Sequence, residues 1–218
     1  MNAEQAVSSI PKIGDRAPDF QANSSKGPIS LKDYKGKWVV LFSHPADFTP
    51  VCTTEFIEFA RRYEEFEKKN AQLIGLSIDS VYSHIAWLLQ IEKISGIEVK
   101  FPVIADLSME VSRLYGLIHE RASTTSTVRA VFFIDPEGVV RALIYYPAST
   151  GRNIDEIMRV LDSLIYVDSF MIATPANWKA GEDVIVPQPS TLQAAKDRIK
   201  DPNLNVKDWF LAIKKSPK

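Results

Sequence analysis

Six consecutive residues, Trp38-Val39-Val40-Leu41-Phe42-Ser43, constrain the fold more than any other stretch. The first five are apolar and do not alternate with polar residues, so both faces of a strand made from them must be buried. Such a strand belongs inside a sheet that is covered on both sides. A helical period begins soon afterwards. Phe56, Phe59, Ala60, Tyr63 and Phe66 fall at i, i+3, i+4, i+7 and i+10, with Glu58, Arg61, Arg62, Glu64, Glu65, Lys68 and Lys69 between them. This spacing predicts one amphipathic helix with an aromatic stripe facing the core. Between strand and helix lies His44-Pro45-Ala46-Asp47-Phe48-Thr49-Pro50-Val51-Cys52-Thr53-Thr54-Glu55, which holds the single cysteine of the 218 residues. A side chain at such a junction meets free backbone N–H groups and the positive end of the helix dipole, both of which favour a thiolate.

The other elements follow from the same patterns. Residues 1–12 read as a flexible lead, and residues 13–20 as a turn-rich approach with one anchoring aromatic. Residues 29–31 predict a short strand, 32–37 a polar turn and 73–78 a second buried strand. Ser83 is placed to cap a helix carrying Ile85, Trp87, Leu88, Leu89 and Ile91. Residues 101–106 predict a short strand, and 108–115 a short helix stopped at Gly116. The apolar runs 129–134 and 139–145 flank Asp135-Pro136-Glu137-Gly138, which has the chemistry of a hairpin turn. Asn153 opens a long helix containing Ile154, Ile157, Met158 and Leu161. Strand, helix, strand, helix, hairpin and helix in that order call for α/β architecture: a mixed central sheet flanked by helices. A thioredoxin-like fold satisfies the order.

Beyond about residue 172 the composition changes. Residues 173–190 include Pro175, Pro187, Pro189, Asn177, Gly181 and Asp183 and read as an extended connection. A weak helical patch follows at 192–199, then the apolar run Trp209-Phe210-Leu211-Ala212-Ile213. A thioredoxin-like core does not need these residues. We therefore expect a domain over 1–170 and a C-terminal extension over 171–218 that takes part in dimerisation.

Composition removes several classes of function. The 26 basic and 27 acidic residues give a formal net charge of -1, which offers nothing to nucleic acid or an anionic membrane surface. No run of 18 apolar residues occurs to span a membrane. The N-terminus lacks the basic and apolar regions of a signal peptide, so the expected location is cytoplasmic. One cysteine excludes a disulfide framework and a cysteine-rich metal site. His44, His84 and His119 are scattered without ligand spacing. No metal and no cofactor is called for.

A free thiol titrates at about 8.5, and each unit of lowering requires about 1.4 kcal/mol of preference for the anion. A helix terminus supplies only about 0.3–1 kcal/mol, or about 2 kcal/mol when partly buried. An arginine would add more, because it cannot be deprotonated. Arg129 stands out, since it begins an apolar strand where a cation must find a partner. Arg152, at a loop-to-helix junction, could converge on the same place. Taken singly, each of these residues has an ordinary structural role: a buried small hydrophobe for Cys52, a strand-end or loop charge for the arginines, a hydrogen-bonded ring for His44. What changes the balance is the rigid segment from Pro45 to Cys52, with two prolines and Thr49 around one thiol.

The spacing Pro45-x-x-x-Thr49-x-x-Cys52 resembles the active-site signature of the peroxiredoxins. The longer string from His44 to Glu55 is similar to the one-cysteine, peroxiredoxin-6-like subfamily, in its archaeal and bacterial members. The segments Tyr146-Pro147-Ala148-Ser149-Thr150-Gly151-Arg152-Asn153 and Ala173-Thr174-Pro175-Ala176-Asn177-Trp178-Lys179-Ala180-Gly181-Glu182-Asp183 resemble it as well.

The resemblance implies a thiol-specific peroxidase that reduces hydrogen peroxide and organic hydroperoxides. Cys52 would be the nucleophile and pass through a sulfenic acid. Thr49 would hydrogen-bond the peroxide, Pro45 would shield the sulfur, and Arg129 would stabilise the thiolate and the polarised O–O bond. Glu55 and Arg152 would form a supporting network that orients Arg129, and His44 would border the pocket and contact substrate. Some subfamily members carry extra cysteines in the C-terminal extension, whereas Asp208-Trp209-Phe210-Leu211-Ala212-Ile213-Lys214 has none. The reductant would then be an external thiol. The apolar hairpin strand and the C-terminal arm suggest a homodimer, by strand pairing and arm exchange, and the resemblance adds a ring of five dimers. An oligomeric chaperone on the same scaffold is the competing class, but it leaves the conjunction of Pro45, Thr49, Cys52, Arg129 and Arg152 without a reason.

Overall fold

A computed structural model describes residues 10–217. Most of the flexible lead expected over residues 1–12 therefore lies outside the described residues. The chain divides into two compact units, one up to Ile154 and one from Asp155.

The first unit is built on a seven-stranded sheet. Its strands are β1 (Gln21–Ser24), β2 (Gly27–Ser30), β3 (Trp38–Ser43), β4 (Ala71–Ser77), β5 (Val103–Ala105), β6 (Arg129–Ile134) and β7 (Val140–Tyr146), in the spatial order β2-β1-β5-β4-β3-β6-β7. The apolar run that opened the analysis is β3. It lies parallel to β4 on one side and antiparallel to β6 on the other, and all six of its residues are buried. The helices are α1 (Pro50–Arg61), α2 (Tyr63–Lys68), α3 (Val81–Ser95) and α4 (Glu110–Leu114).

Strand alternation divides the core into two layers. Val39 and Leu41 cluster with Ile74, Leu76, Ala130, Phe132 and Ile134, together with Val111 and Tyr115 from around α4. Phe42, on the other face, stacks on Phe59 at 4.2 Å and meets Phe56 and Phe101 edge-on at 5.4 and 5.6 Å. The aromatic stripe thus packs α1 directly onto β3. Gly75 of β4 makes room for it. A Cβ there would lie 3.2 Å from Phe56 Cζ and 3.4 Å from both Val103 methyl groups.

Several local expectations change. The aromatic helix is broken at Arg62, where the N–H of Glu65 bonds the Arg62 carbonyl in a tighter i to i−3 turn. Ser80, not Ser83, caps α3, because its hydroxyl accepts from the Ser83 N–H. Ile85 and Leu89 of that helix are exposed, while His84, Trp87 and Ile91 are buried. The stop at Gly116 is observed with φ +61, and an added Cβ would come within 2.6 Å of Ile10. Strand β1 went unforeseen, since Gln-Ala-Asn-Ser carries almost no apolar signal.

The second unit begins with α5 (Ile154–Phe170), then β8 (Val184–Val186), α6 (Leu192–Ile199), β9 (Asn205–Asp208) and β10 (Leu211–Lys214). The three strands form a small sheet in the order β8-β10-β9. Ile172, Trp178 and Val184 make a separate core with Tyr166, Val167 and Phe170. The connection expected over 173–190 is thus more structured than its prolines suggest: it carries β8 and buries Trp178, whose indole donates to the Glu182 carbonyl at 3.1 Å. From Asp155 onward the residues of α5 group with the C-terminal residues. No helix among the described residues is long and apolar enough to cross a membrane.

Candidate active site

Strand β3 delivers the chain to the site and α1 presents the thiol. Thr49 occupies the N-cap with extended backbone, and Pro50 follows at the first helical position, where its missing N–H costs nothing. Cys52 is the third residue of α1 and has 0% of its surface exposed. Thr49 does not cap the helix with its side chain. Its hydroxyl donates to the Ala46 carbonyl at 2.9 Å, which leaves the oxygen lone pairs free to accept. Thr53 fixes the same turn by donating to the Thr49 carbonyl at 2.8 Å. Phe48, one residue earlier, has φ +55 and an exposed ring. Pro45 is half-buried at the start of this loop.

Arg129, at the start of β6, reaches the sulfur. Its Nη1 lies 3.2 Å from Cys52 Sγ and donates to Glu55 Oε2 at 2.8 Å. Its Nε and Nη2 both donate to the Ala148 carbonyl, at 3.0 and 2.7 Å. The guanidinium is therefore held on two sides before any substrate arrives. Arg152 secures Glu55 in turn. Its backbone N–H and Nε donate to Oε1 at 2.8 and 2.9 Å, and Nη2 donates to Oε2 at 2.6 Å. Its Nη1 donates to the Ser43 and Ala130 carbonyls, which ties the network to β3 and β6. The same guanidinium lies over the rings of Phe42 and Phe59, at 5.2 and 5.7 Å. Burial would raise the Glu55 carboxyl, but the hydrogen bonds and charge of Arg152, then Arg129, hold it below its ordinary value.

His44 follows β3 and is fully buried. Its Nε2 lies 3.0 Å from Asp47 Oδ1, and its ring stacks on Trp87 at 5.1 Å. Asp47 Oδ2 takes His84 Nδ1 at 2.8 Å. Burial pushes the His44 imidazole down, against the opposing pull of Asp47. Burial would raise Asp47, but hydrogen bonds from His44 and His84 outweigh it and hold the carboxyl well below the usual carboxylate range. His44, Asp47 and Asp79 bring ligand-type atoms within 4.8 Å of one another. Asp79 Oδ2 already accepts the Asp47 N–H and the Ser77 hydroxyl, at 3.1 and 2.6 Å.

Of the seven residues singled out in the sequence, Cys52, Arg129, Glu55 and Arg152 form one bonded cluster. Thr49 and Pro45 lie on the loop before it. His44 bonds away from it, toward Asp47. Sequence reasoning missed Asp47, His84 and Trp87, because nothing in spacing links positions on β3's loop to α3. It also missed the Ala148 carbonyl, a backbone group with no sequence signature.

The fold and site define a class: a thioredoxin-like oxidoreductase with one buried thiol beside an arginine. Residues 13–143 match the AhpC/TSA family, and residues 163–201 match the C-terminal domain of 1-Cys peroxiredoxin. The chain belongs to the peroxiredoxins of the one-cysteine type, and it is a thiol-dependent peroxidase. It is 54% identical to a peroxiredoxin of Methanosarcina mazei over 215 residues, covering 94% of this chain and 98% of that one. It is 58% identical to peroxiredoxin 2 of Picrophilus torridus over 199 residues, covering 91% and 96%. Among solved structures it resembles a yeast mitochondrial 1-Cys peroxiredoxin, with TM-score 0.85 and 40% identity over 95% of this chain and 100% of that chain. A mutant of the peroxiredoxin 6 of Arenicola marina gives the same TM-score at 38% identity, covering 95% and 99%.

Proposed function

We propose that the chain reduces hydrogen peroxide and organic hydroperoxides to water and alcohols, with Cys52 as the nucleophile. The thiolate attacks one peroxide oxygen, so that an S–O bond forms as the O–O bond breaks. The departing hydroxide or alkoxide takes up a proton, and the sulfur is left as a sulfenic acid. One external thiol then displaces water to give a mixed disulfide. A second thiol releases Cys52 and leaves as the oxidised disulfide. No second cysteine exists to replace the external thiol.

The observation that carries this reading is the 3.2 Å approach of Arg129 Nη1 to Cys52 Sγ. A permanent cation fixed at that distance favours the anionic sulfur and meets the negative charge that spreads over the breaking O–O bond. Glu55 and Arg152 hold that cation in place. Thr49 offers its hydroxyl oxygen to a peroxide O–H. Pro45 covers the sulfur, and His44 borders the substrate.

The edge position of β7 among the described strands and the exposed Trp209 and Phe210 support a homodimer in which the C-terminal extension takes part, and the family resemblance adds a ring of five dimers. An unpaired thiol of this kind suits a reducing, cytoplasmic compartment.

Stopped-flow oxidation of the reduced protein by stoichiometric peroxide tests the reading. Arg129→Ala is expected to slow the reaction by roughly a hundredfold or more, and Cys52→Ser to abolish it with fold retained. A wild-type thiol that reacts no faster than a free small-molecule thiol would end the proposal.

A further inference from the structure

Asp47 and His84 have no part in the chemistry set out above, yet both are buried, Asp47 on the loop that joins β3 to α1. The two oxygens of Asp47 each take one imidazole: Oδ1 faces His44 Nε2 at 3.0 Å and Oδ2 faces His84 Nδ1 at 2.8 Å. The other nitrogen of His84, Nε2, lies 3.0 Å from the Ile104 carbonyl oxygen on β5. An ionised carboxylate can only accept, so the His84 nitrogen that faces Asp47 is a donor. Asp47 is further anchored through its own N–H, which donates to Asp79 Oδ2 at 3.1 Å.

The same accounting fixes His44. Its Nε2 carries the ring hydrogen, because that nitrogen faces Asp47. Nδ1 is then a bare lone pair, and it is a fully buried atom with no hydrogen-bond partner among the described residues. Turning the ring over would aim a carbon at Asp47 and lose the bond. The ring plane is also held, by Trp87 stacked at 5.1 Å and Phe56 edge-on at 4.7 Å. A buried acceptor without a partner is uncommon enough to need a reason. A peroxide supplies one. It brings O–H hydrogens into a site where Arg129 can only donate, so acceptors are what the site must provide.

We propose that Asp47 and His84 are positioning residues for peroxide reduction. His84 holds Asp47, and Asp47 holds His44 in the Nε2–H tautomer. The bare Nδ1 then accepts a hydrogen bond from the hydroperoxide while Cys52 attacks. This rests on the reading of His44 as a residue bordering the substrate.

The test compares two reactions of Cys52, oxidation by hydrogen peroxide and alkylation by iodoacetamide, which brings no O–H to be accepted. Wild type, Asp47→Asn, His84→Phe and His44→Phe are measured, and two-bond proton–nitrogen spectra of 15N-histidine protein report each ring's tautomer. In Asp47→Asn the amide presents an N–H where a carboxylate oxygen stood. His44 is expected to lose its Nε2–H preference, and peroxide oxidation to slow about tenfold or more while alkylation stays within about twofold. His84→Phe shifts both readouts in the same direction, and it decides the matter alone if Asp47→Asn does not fold. Equal slowing of both reactions, or an unchanged His44 tautomer, overturns the proposal. A slow His44→Phe beside two wild-type rates in the other variants removes the positioning roles alone. A wild-type peroxide rate in His44→Phe removes the underlying reading of His44 as well.

Discussion

Arg152 grips Glu55 from main chain and side chain together, with two donors on Oε1 and a third on Oε2. Because Arg129 shares Oε2, one carboxylate fixes two buried cations. Glu55→Gln would strip both of their anion. We expect a loss of about 3–5 kcal/mol in stability, the usual cost of leaving buried charge uncompensated. The peroxide rate should fall too, since Arg129 Nη1 keeps only the sulfur. Urea unfolding followed by circular dichroism measures the first effect, and a loss under about 1 kcal/mol would show that water reaches the arginines.

The Thr49 hydroxyl is committed as a donor to the Ala46 carbonyl, so in the proposed reaction it would meet the peroxide only as an acceptor. Thr49→Ser keeps both functions and should react within about tenfold of wild type, whereas Thr49→Val loses both and should slow by about a hundredfold. The valine variant also leaves the Ala46 carbonyl short of a donor, a cost of about 1 kcal/mol. Equal rates in the two variants would remove Thr49 from the reaction.

Stability should fall on acidification, starting above the carboxylate range. His44 is held below its ordinary 6.5 by burial, so the unfolded chain binds a proton there that the folded chain refuses. Its contribution is complete above that value and declines as the pH drops through it. Asp47 and Glu55 sit below their ordinary 3.8 and 4.5, because their partners outweigh burial. Their contribution is present above those values and is lost as the pH falls toward the lower folded ones. Urea midpoints between about pH 8 and pH 3 should therefore decline in two stages. A midpoint that rises between about pH 7 and pH 5 would contradict the buried neutral histidine.

Gly75 tests the packing of α1 on the sheet. Alanine would place a methyl 3.2 Å from Phe56 Cζ, so either the ring or the helix must shift. Gly75→Ala should cost about 1–3 kcal/mol in thermal unfolding. Any displacement of α1 also moves Cys52, so the peroxide rate should drop with it. A stabilised variant would mean that Phe56 has room to give.

Local patterns carried much of the fold. The unbroken apolar run predicts β3 residue for residue, and the proline-rich loop with one thiol placed Cys52 at the start of α1. Arg129 was legible because a cation at the head of an apolar strand demands a partner. Other features had no local sign. The break at Arg62 contains neither glycine nor proline. Strand β1 is polar and held by pairing with β2 and β5. His44 and His84 looked scattered because they are 40 positions apart in the sequence, although their ring centroids lie 6.2 Å apart across Asp47. Contacts made by sheet order are invisible to spacing rules, and so is a backbone acceptor such as Ala148.

The cluster of Arg129, Arg152 and Glu55 holds two permanent positive charges and one negative charge. Together with the neighbouring sulfur, the sum reaches zero only when that sulfur is ionised. An oxidised or capped, neutral sulfur leaves one guanidinium unmatched in a place from which water is excluded. The cycle proposed above would therefore alternate a charge-balanced pocket with an unbalanced one. In the proposed cycle, the end of each turnover returns the pocket to that balance, because the two arginines and their shared carboxylate do not change charge.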